Sequence, residues 1–295
     1  MTEENMATIK TPDMQELLGA GVHFGHKISR GHPKMKRYIF GARDGVHILD
    51  LAHSEEQLKE AAQAAYELGK SGAIMLIVST KKQAQQIVED LAHEADTPFL
   101  SQAWHGGTFT NFDEIKRNWK KLSELKVEQE KGQLTRYTKR EQMLISKKLA
   151  KFTREMGGAL SLEKLPDALF VVDAVADNIA VREANKTGVK VIGLCDTNAD
   201  PTWFDWPVAA NDDGIKSIKI VCETILRAYA QGKKEAGIKV GEQKVTKVPE
   251  VSKVSKGDEK EEKAEELDEA LAEEAAVIEE QIEKEVVDES SRKVE

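Results

Sequence analysis

The sequence is short of cysteine, proline and aromatic residues, and it has no long apolar run. Only two cysteines occur, Cys195 and Cys222. Both stand among apolar neighbours, which predicts buried thiols of a reducing compartment rather than a disulfide. No run reaches the roughly eighteen apolar residues that a membrane-spanning helix needs. Met1 to Lys10 lacks the apolar centre of a secretory signal, so none is expected. Neither of the common phosphate-cradling glycine loops is present.

What the chain does have is charge, unevenly placed. The net charge is −9 over 295 residues. From Lys233 to Glu295 there are 12 Lys and Arg against 20 Asp and Glu, so that segment alone carries −8. A nearly neutral body remains, able to bind nucleic acid where its basic residues cluster. The last segment, 233–295, reads as a disordered acidic tail.

Three short apolar runs have strand length: Ile74–Ser79, Ala168–Asp173 and Val189–Leu194. The first two are apolar on both faces, the mark of strands covered on both sides. Helical patterns lie around them at Ser54–Lys70, Lys81–Glu94, Asn178–Thr187 and Asp212–Gln231. Strands alternating with helices predict an α/β domain with a parallel sheet. Gly188 and Gly232 are expected as C-caps of the helices they follow.

The stretch 112–156 breaks this alternation. Ile115, Trp119 and Leu122 form one narrow apolar stripe, and Ile145, Leu149, Phe152 and Met156 form another. With a turn at Lys131-Gly132-Gln133, an inserted antiparallel helical hairpin is predicted. His105 to Gly158 holds 13 Lys and Arg against 7 Asp and Glu.

Four segments carry candidate chemistry. Lys27 to Arg43 contains Lys27, Arg30, Lys34, Lys36, Arg37 and Arg43 and no acid, interleaved with His32, Tyr38 and Phe40 and preceded by His26. Cationic side chains neutralise phosphate and aromatic rings stack on exposed bases, so an extended RNA-binding loop is one reading. A solvated basic loop is the other. Next, His23 and His26 are three residues apart. On a helical turn they would share a face and could ligate a metal, with Asp196 or Asp212 completing the set. Packing histidines are the preferred reading, and no metal or other cofactor is expected.

Trp104 to Phe112 holds the paired Gly106 and Gly107, which would permit close backbone approach, with aromatic residues anchoring the base of the hairpin. Finally, Asp173 and Asp196 end two of the strands. Such a pair could hold Mg²⁺ for phosphoryl transfer. Capping of loop N–H groups is preferred, because no nucleophile–base pair accompanies them.

Taken in order, Gly21-Val-His-Phe-Gly-His26, Pro33-Lys-Met-Lys-Arg-Tyr-Ile-Phe-Gly-Ala-Arg43, Val46-His-Ile-Leu-Asp-Leu51 and Trp104-His-Gly-Gly-Thr-Phe-Thr-Asn-Phe112 resemble the signatures of the S-two ribosomal proteins. Leu165–Asp173, Glu183-Ala-Asn185, Asp196-Thr-Asn198, Asp200-Pro201 and Asn211-Asp-Asp213 are similar to that family's C-terminal half. The likeness runs from about Met14 to Gly232. It departs where Gly31-His32 replaces the family's Trp-Asn, Ala103 its Arg and His105 its Leu.

The resemblance implies a flavodoxin-like three-layer α/β domain over 1–103 and 159–232, with a coiled-coil hairpin inserted at 104–158. It implies a non-enzymatic constituent of the small ribosomal subunit, residing on cytoplasmic ribosomes. Small-subunit ribosomal RNA and neighbouring ribosomal proteins, the S-one protein among them, would be its partners, with no membrane and no small-molecule substrate. Lys27, Arg30, Lys34, Lys36, Arg37, Tyr38 and Arg43 are the expected RNA-binding residues.

Overall fold

A computed structural model describes residues 9–238 other than 133, 135 and 136. The acidic segment from residue 239 onward lies outside the described residues, and so does Gln133 of the expected turn.

Helix α1 (Met14–Ala20) opens with a capping box, in which Asp13 accepts from the Glu16 N–H and Glu16 from the Asp13 N–H. Strand β1 (Phe24–Lys27) follows, then two short 3₁₀ turns at Ile28–Arg30 and Pro33–Tyr38. Strands β2 (Ile39–Arg43) and β3 (Val46–Leu49) complete a small antiparallel sheet in the order β1-β3-β2. The basic stretch is therefore not a plain extended loop. Pro33 at the start of the second turn and the His32 ring, which accepts from the Lys34 N–H, favour the tight coil.

The main layer comprises α2 (Leu51–Ser71), β4 (Met75–Val78), α3 (Lys82–Ala95), β5 (Phe99–Leu100), α4 (Phe112–Glu130), α5 (Lys139–Met156), β6 (Ala168–Val171), α6 (Asn178–Thr187), β7 (Lys190–Cys195), β8 (Trp206–Ala209) and α7 (Ile215–Glu235). Its five strands are all parallel, in the order β5-β4-β6-β7-β8. Every residue of β4 and β6 is buried, as their two-sided apolar runs require. Met75 and Ile77 face a core shared with α2, α3 and α7, whereas Leu76 and Val78 face one shared with α6 and the inner ends of α4 and α5. Cys195 and Cys222 are buried free thiols. No described helix is long and apolar enough to cross a membrane.

Trp119, Leu149, Phe152 and Met156, all from the two expected stripes, are buried. Gln129 near the end of α4 donates to the Ser146 hydroxyl of α5 at 2.7 Å. Gly188 caps α6 in the left-handed region. Gly232 does not cap α7. That helix continues three residues further, to Glu235, because Gly232 is needed where α7 meets α2.

Candidate nucleic-acid interface

The basic segment is seated on the carboxyl ends of the parallel strands. Thr197, just past β7, is the seat: its hydroxyl accepts from the His26 N–H at 2.8 Å and its carbonyl from the His32 N–H at 2.7 Å. A Cβ on Gly25 would stand 2.5 Å from the Thr197 methyl, so only glycine lets β1 approach this closely. The segment is thus a fixed platform.

Lys27, Arg30, Lys34, Lys36, Arg37 and Arg43 are all exposed. Lys34 already has partners, donating to Asp200 at 2.8 Å and to the Thr202 hydroxyl at 2.9 Å. Burial opposes the charge of Asp200, but Lys34 and Thr202 outweigh it and hold that carboxyl down at about 2. Arg43 is 85% exposed, with only the equally open Asp44 3.7 Å away. The Arg37 guanidinium lies 4.5 Å from the centre of the Tyr38 ring.

Tyr38 itself departs from expectation. It is only 8% exposed and packs with Met35 and Leu49 in the core, so its face is closed to a stacking base. Phe40 is the exposed ring, at 80%. The reason is that Tyr38 is not in the strand: it ends the 3₁₀ turn, which buries it beside Met35, and β2 then begins at Ile39, so Phe40 is the first residue of the strand to point away from the core. Basic residues also line the helical pair, where Lys116, Lys120, Lys121, Lys147, Lys148 and Lys151 bring positive charge to its outer side.

Beneath the platform is a cluster of buried charge. His26, Asp196 and Asp212 offer ligand atoms within 4.8 Å of one another, a group that could hold a cation. His23 does not join it. Its segment turns from α1 into β1 instead of continuing as a helix, and its ring packs on Phe24, with centroids 4.1 Å apart. His26 Nδ1 stands 3.0 Å from Asp196 Oδ2. Bonding to Asp196 raises the His26 pKa against the cost of burial.

Lys81 enters from the other side. Its Nζ lies 3.2 Å from Asp173, 2.8 Å from Asp212 and 2.7 Å from Asp213. Burial works against its charge, yet these carboxylates raise its pKa. Burial, Asp196 and Asp173 together push the Asp212 carboxyl up to about 7, and Lys81 pulls the other way.

The paired carboxylates of the phosphoryl-transfer reading are spent on structure. Asp173 Oδ1 accepts from the Val175 and Ala176 N–H groups, and its other oxygen faces Lys81. Asp196 accepts from the Thr197 and Asp212 N–H groups. Both cap loops, and an ammonium rather than an open space stands beside Asp173. The enzyme reading loses its support.

The glycine turn holds an anion from its own chain. Glu183 of α6 accepts from the N–H groups of Gly107 at 2.7 Å, Phe109 at 2.9 Å and Thr110 at 3.2 Å. The Thr110 hydroxyl and the Trp104 indole add bonds of 3.4 Å each. Gly107 is required by its φ of +93°, while a Cβ on Gly106 would meet nothing, so close approach is not what the pair provides. Of the departures from the family pattern, His105 pairs with Glu155 of α5 at 3.1 Å, and His32 Nε2 stands 4.0 Å from Asp200.

Thr197 and Glu183 escape sequence reasoning as functional residues. Both sit inside the family motifs quoted above, and those motifs are the only signal for them.

A family model described as Ribosomal protein S2 matches residues 17–232. A small ribosomal subunit protein uS2 from Nitratiruptor sp. is 39% identical over 220 residues, covering 75% of this chain and 82% of the relative. The protein of the same name from Dictyoglomus thermophilum is 40% identical over 234 residues, covering 78% and 95%. That from Bacteroides thetaiotaomicron is 41% identical over 219 residues, covering 74% and 79%. The extent and identity of these matches place the chain in the ribosomal protein S2 family.

Proposed function

We propose that this chain is a structural, non-catalytic constituent of the small ribosomal subunit, acting in translation on the ribosome by binding ribosomal RNA and neighbouring ribosomal proteins. One observation carries the site-level reading: six exposed cations stand on a segment without a single acid, clamped to a rigid sheet by Thr197. Lys27, Arg30, Lys36, Arg37 and Arg43 meet phosphate directly, and Lys34 does so on exchanging Asp200 for a phosphate oxygen. Phe40 takes the stacking role expected of Tyr38. The relatives' names supply the subunit.

The finer architecture belongs to the same proposal. The order β5-β4-β6-β7-β8 supports a flavodoxin-like domain over 1–103 and 159–232. The helical pair supports a coiled-coil hairpin over 104–158, with its basic side toward RNA. The composition of 233–295 supports an acidic tail, but its expected start is too early, because residues 233–235 close α7 and Lys233 is buried there. Docking of the S-one ribosomal protein rests on the family resemblance.

Sedimentation of a lysate through a sucrose gradient tests the reading. The chain is expected to travel with small subunits and to stay with them in moderate salt. A chain left wholly at the top of the gradient would overturn it.

A further inference from the structure

The turn from Trp104 to Thr110 has the form of an anion nest, with the N–H groups of Gly107, Phe109 and Thr110 converging on one point. That point is occupied by the carboxylate of Glu183, 76 residues from Gly107 in sequence. Glu183 is 8% exposed, and the donors that meet it are all neutral: three amides, a hydroxyl and an indole. Among the described residues no lysine or arginine pairs with it, and a buried carboxylate in that position is costly unless amides solvate it, as they do here. Burial alone would raise the pKa of Glu183, but the bonds from Gly107, Phe109 and Thr110 bring it below the ordinary range.

The position of the nest matters. Thr110 is two residues before α4, and the Asn111 N–H donates to the Gly107 carbonyl at 2.7 Å, so the turn runs straight into that helix. Trp104 and Phe109 pack edge to face 4.9 Å apart within the turn. On the far side, His105 ties the turn to Glu155 near the end of α5. Glu183 is carried by α6, which lies on the main sheet. It therefore joins the sheet layer to the root of both long helices.

We propose that Glu183 is a positioning residue: its carboxylate serves as a built-in anion that closes the 104–110 turn and sets the direction in which α4 and α5 leave the sheet. This goes beyond the ribosomal reading and does not require RNA. It gives the turn a role that neither phosphate binding nor close backbone packing accounts for.

The test uses the full chain, free of RNA, with spin labels at Lys82→Cys on α3 and Lys148→Cys on α5. The native cysteines are both fully buried and stay unlabelled. Pulsed electron–electron distance measurement compares the labelled parent with Glu183→Gln and Glu183→Ala. The isosteric Gln keeps the shape of the side chain but brings an NH₂ donor to face N–H groups. Both variants are expected to broaden the distance distribution, and added formate is expected to narrow it again in Glu183→Ala by refilling the nest. Amide exchange at Gly107, Phe109 and Thr110 is expected to quicken roughly ten-fold or more while β4 and β6 stay protected. A Glu183→Gln distribution identical to the parent's overturns the proposal, as does a folded Glu183→Ala that formate leaves unchanged. Should Glu183→Ala fail to fold, Glu183→Gln decides alone. None of these outcomes bears on sedimentation with small subunits, so the two readings fail separately.

Discussion

Gly69 of α2 and Gly232 of α7 sit at the crossing of their two helices. A methyl group on Gly69 would lie 2.2 Å from the Tyr229 carbonyl, and one on Gly232 would lie 2.1 Å from the Tyr66 carbonyl. The obstacle in each case is backbone, which cannot swing aside. Gly232→Ala should therefore destabilise the protein by about 1–3 kcal/mol, despite the ~1 kcal/mol that alanine gains over glycine in a helix. Gly19→Ala in α1, where a Cβ meets nothing, is the control and should be neutral or slightly stabilising. Urea unfolding of the three proteins decides the matter, and a Gly232→Ala variant as stable as its parent would mean that the helices separate freely.

The same crossing marks where sequence reading succeeds and where it stops. The strands β4, β6 and β7 and the four helices around them are legible because burial on both faces or on one stripe leaves a periodic record. Strand β5, with two residues, and β8, with Pro207 inside it, leave none. Gly232 looks like a helix stop because glycine has the same letter whether it serves backbone conformation or close packing. At the interface, the cations are readable one by one, but exposure is not. Tyr38 and Phe40 differ by two positions, yet one is in the core and the other in solvent. Thr197 and Glu183 act through residues more than seventy positions away, a distance over which spacing carries no signal.

The Lys34–Asp200 pair gives a prediction in acid. An acid held at about 2, below its unfolded value of 3.8, adds stability that is present above that value and is lost as pH falls from about 4 to about 2. Removing the ammonium with Lys34→Gln should let the Asp200 carboxyl rise toward 3.8, with the Thr202 bonds retaining part of the depression. Carbon-detected NMR titration of Asp200 follows this directly. An unchanged midpoint would mean that Thr202 alone holds the carboxyl down.

The platform cations predict a salt dependence. Removing one cation that meets a phosphate should reduce the slope of log affinity against log salt by about 0.7–0.9. Single Gln substitutions at Lys36, Arg37 or Arg43 are expected to do so in binding to small-subunit ribosomal RNA. Lys34→Gln should cost less affinity, because Lys34 must break an ion pair to Asp200 before it can meet a phosphate. Equal slopes for all four variants and the parent would remove this segment from the RNA interface. Phe40→Ala should weaken binding without changing the slope, since stacking releases no counterions, and Tyr38→Ala should instead lower stability by roughly 3–5 kcal/mol, as loss of a buried aromatic ring does.

Lys81 makes the strongest claim on stability. Its ammonium is the only lysine or arginine group that pairs with Asp173 or Asp212 among the described residues. Lys81→Met keeps most of the stem and removes the charge. Two nearly buried carboxylates then lose their counter-charge, a change that costs about 3–5 kcal/mol where such pairs are broken. Asp213 is 60% exposed and adds little, because water screens it. The loss must depend on pH. Asp212, already raised to about 7, keeps in the folded state a proton that the unfolded chain sheds near 4, so its contribution to stability falls as pH rises between these values. His26, also raised, loses its stabilising charge in the same direction. Without Lys81 the Asp212 carboxyl rises further, and protonation at pH 5 relieves much of the repulsion. The variant should therefore be far less stable than its parent at pH 7.5 and come much closer to it at pH 5, measured by urea unfolding at both. An equal deficit at the two pH values would assign the loss to packing of the lysine stem and leave the carboxylates to one another.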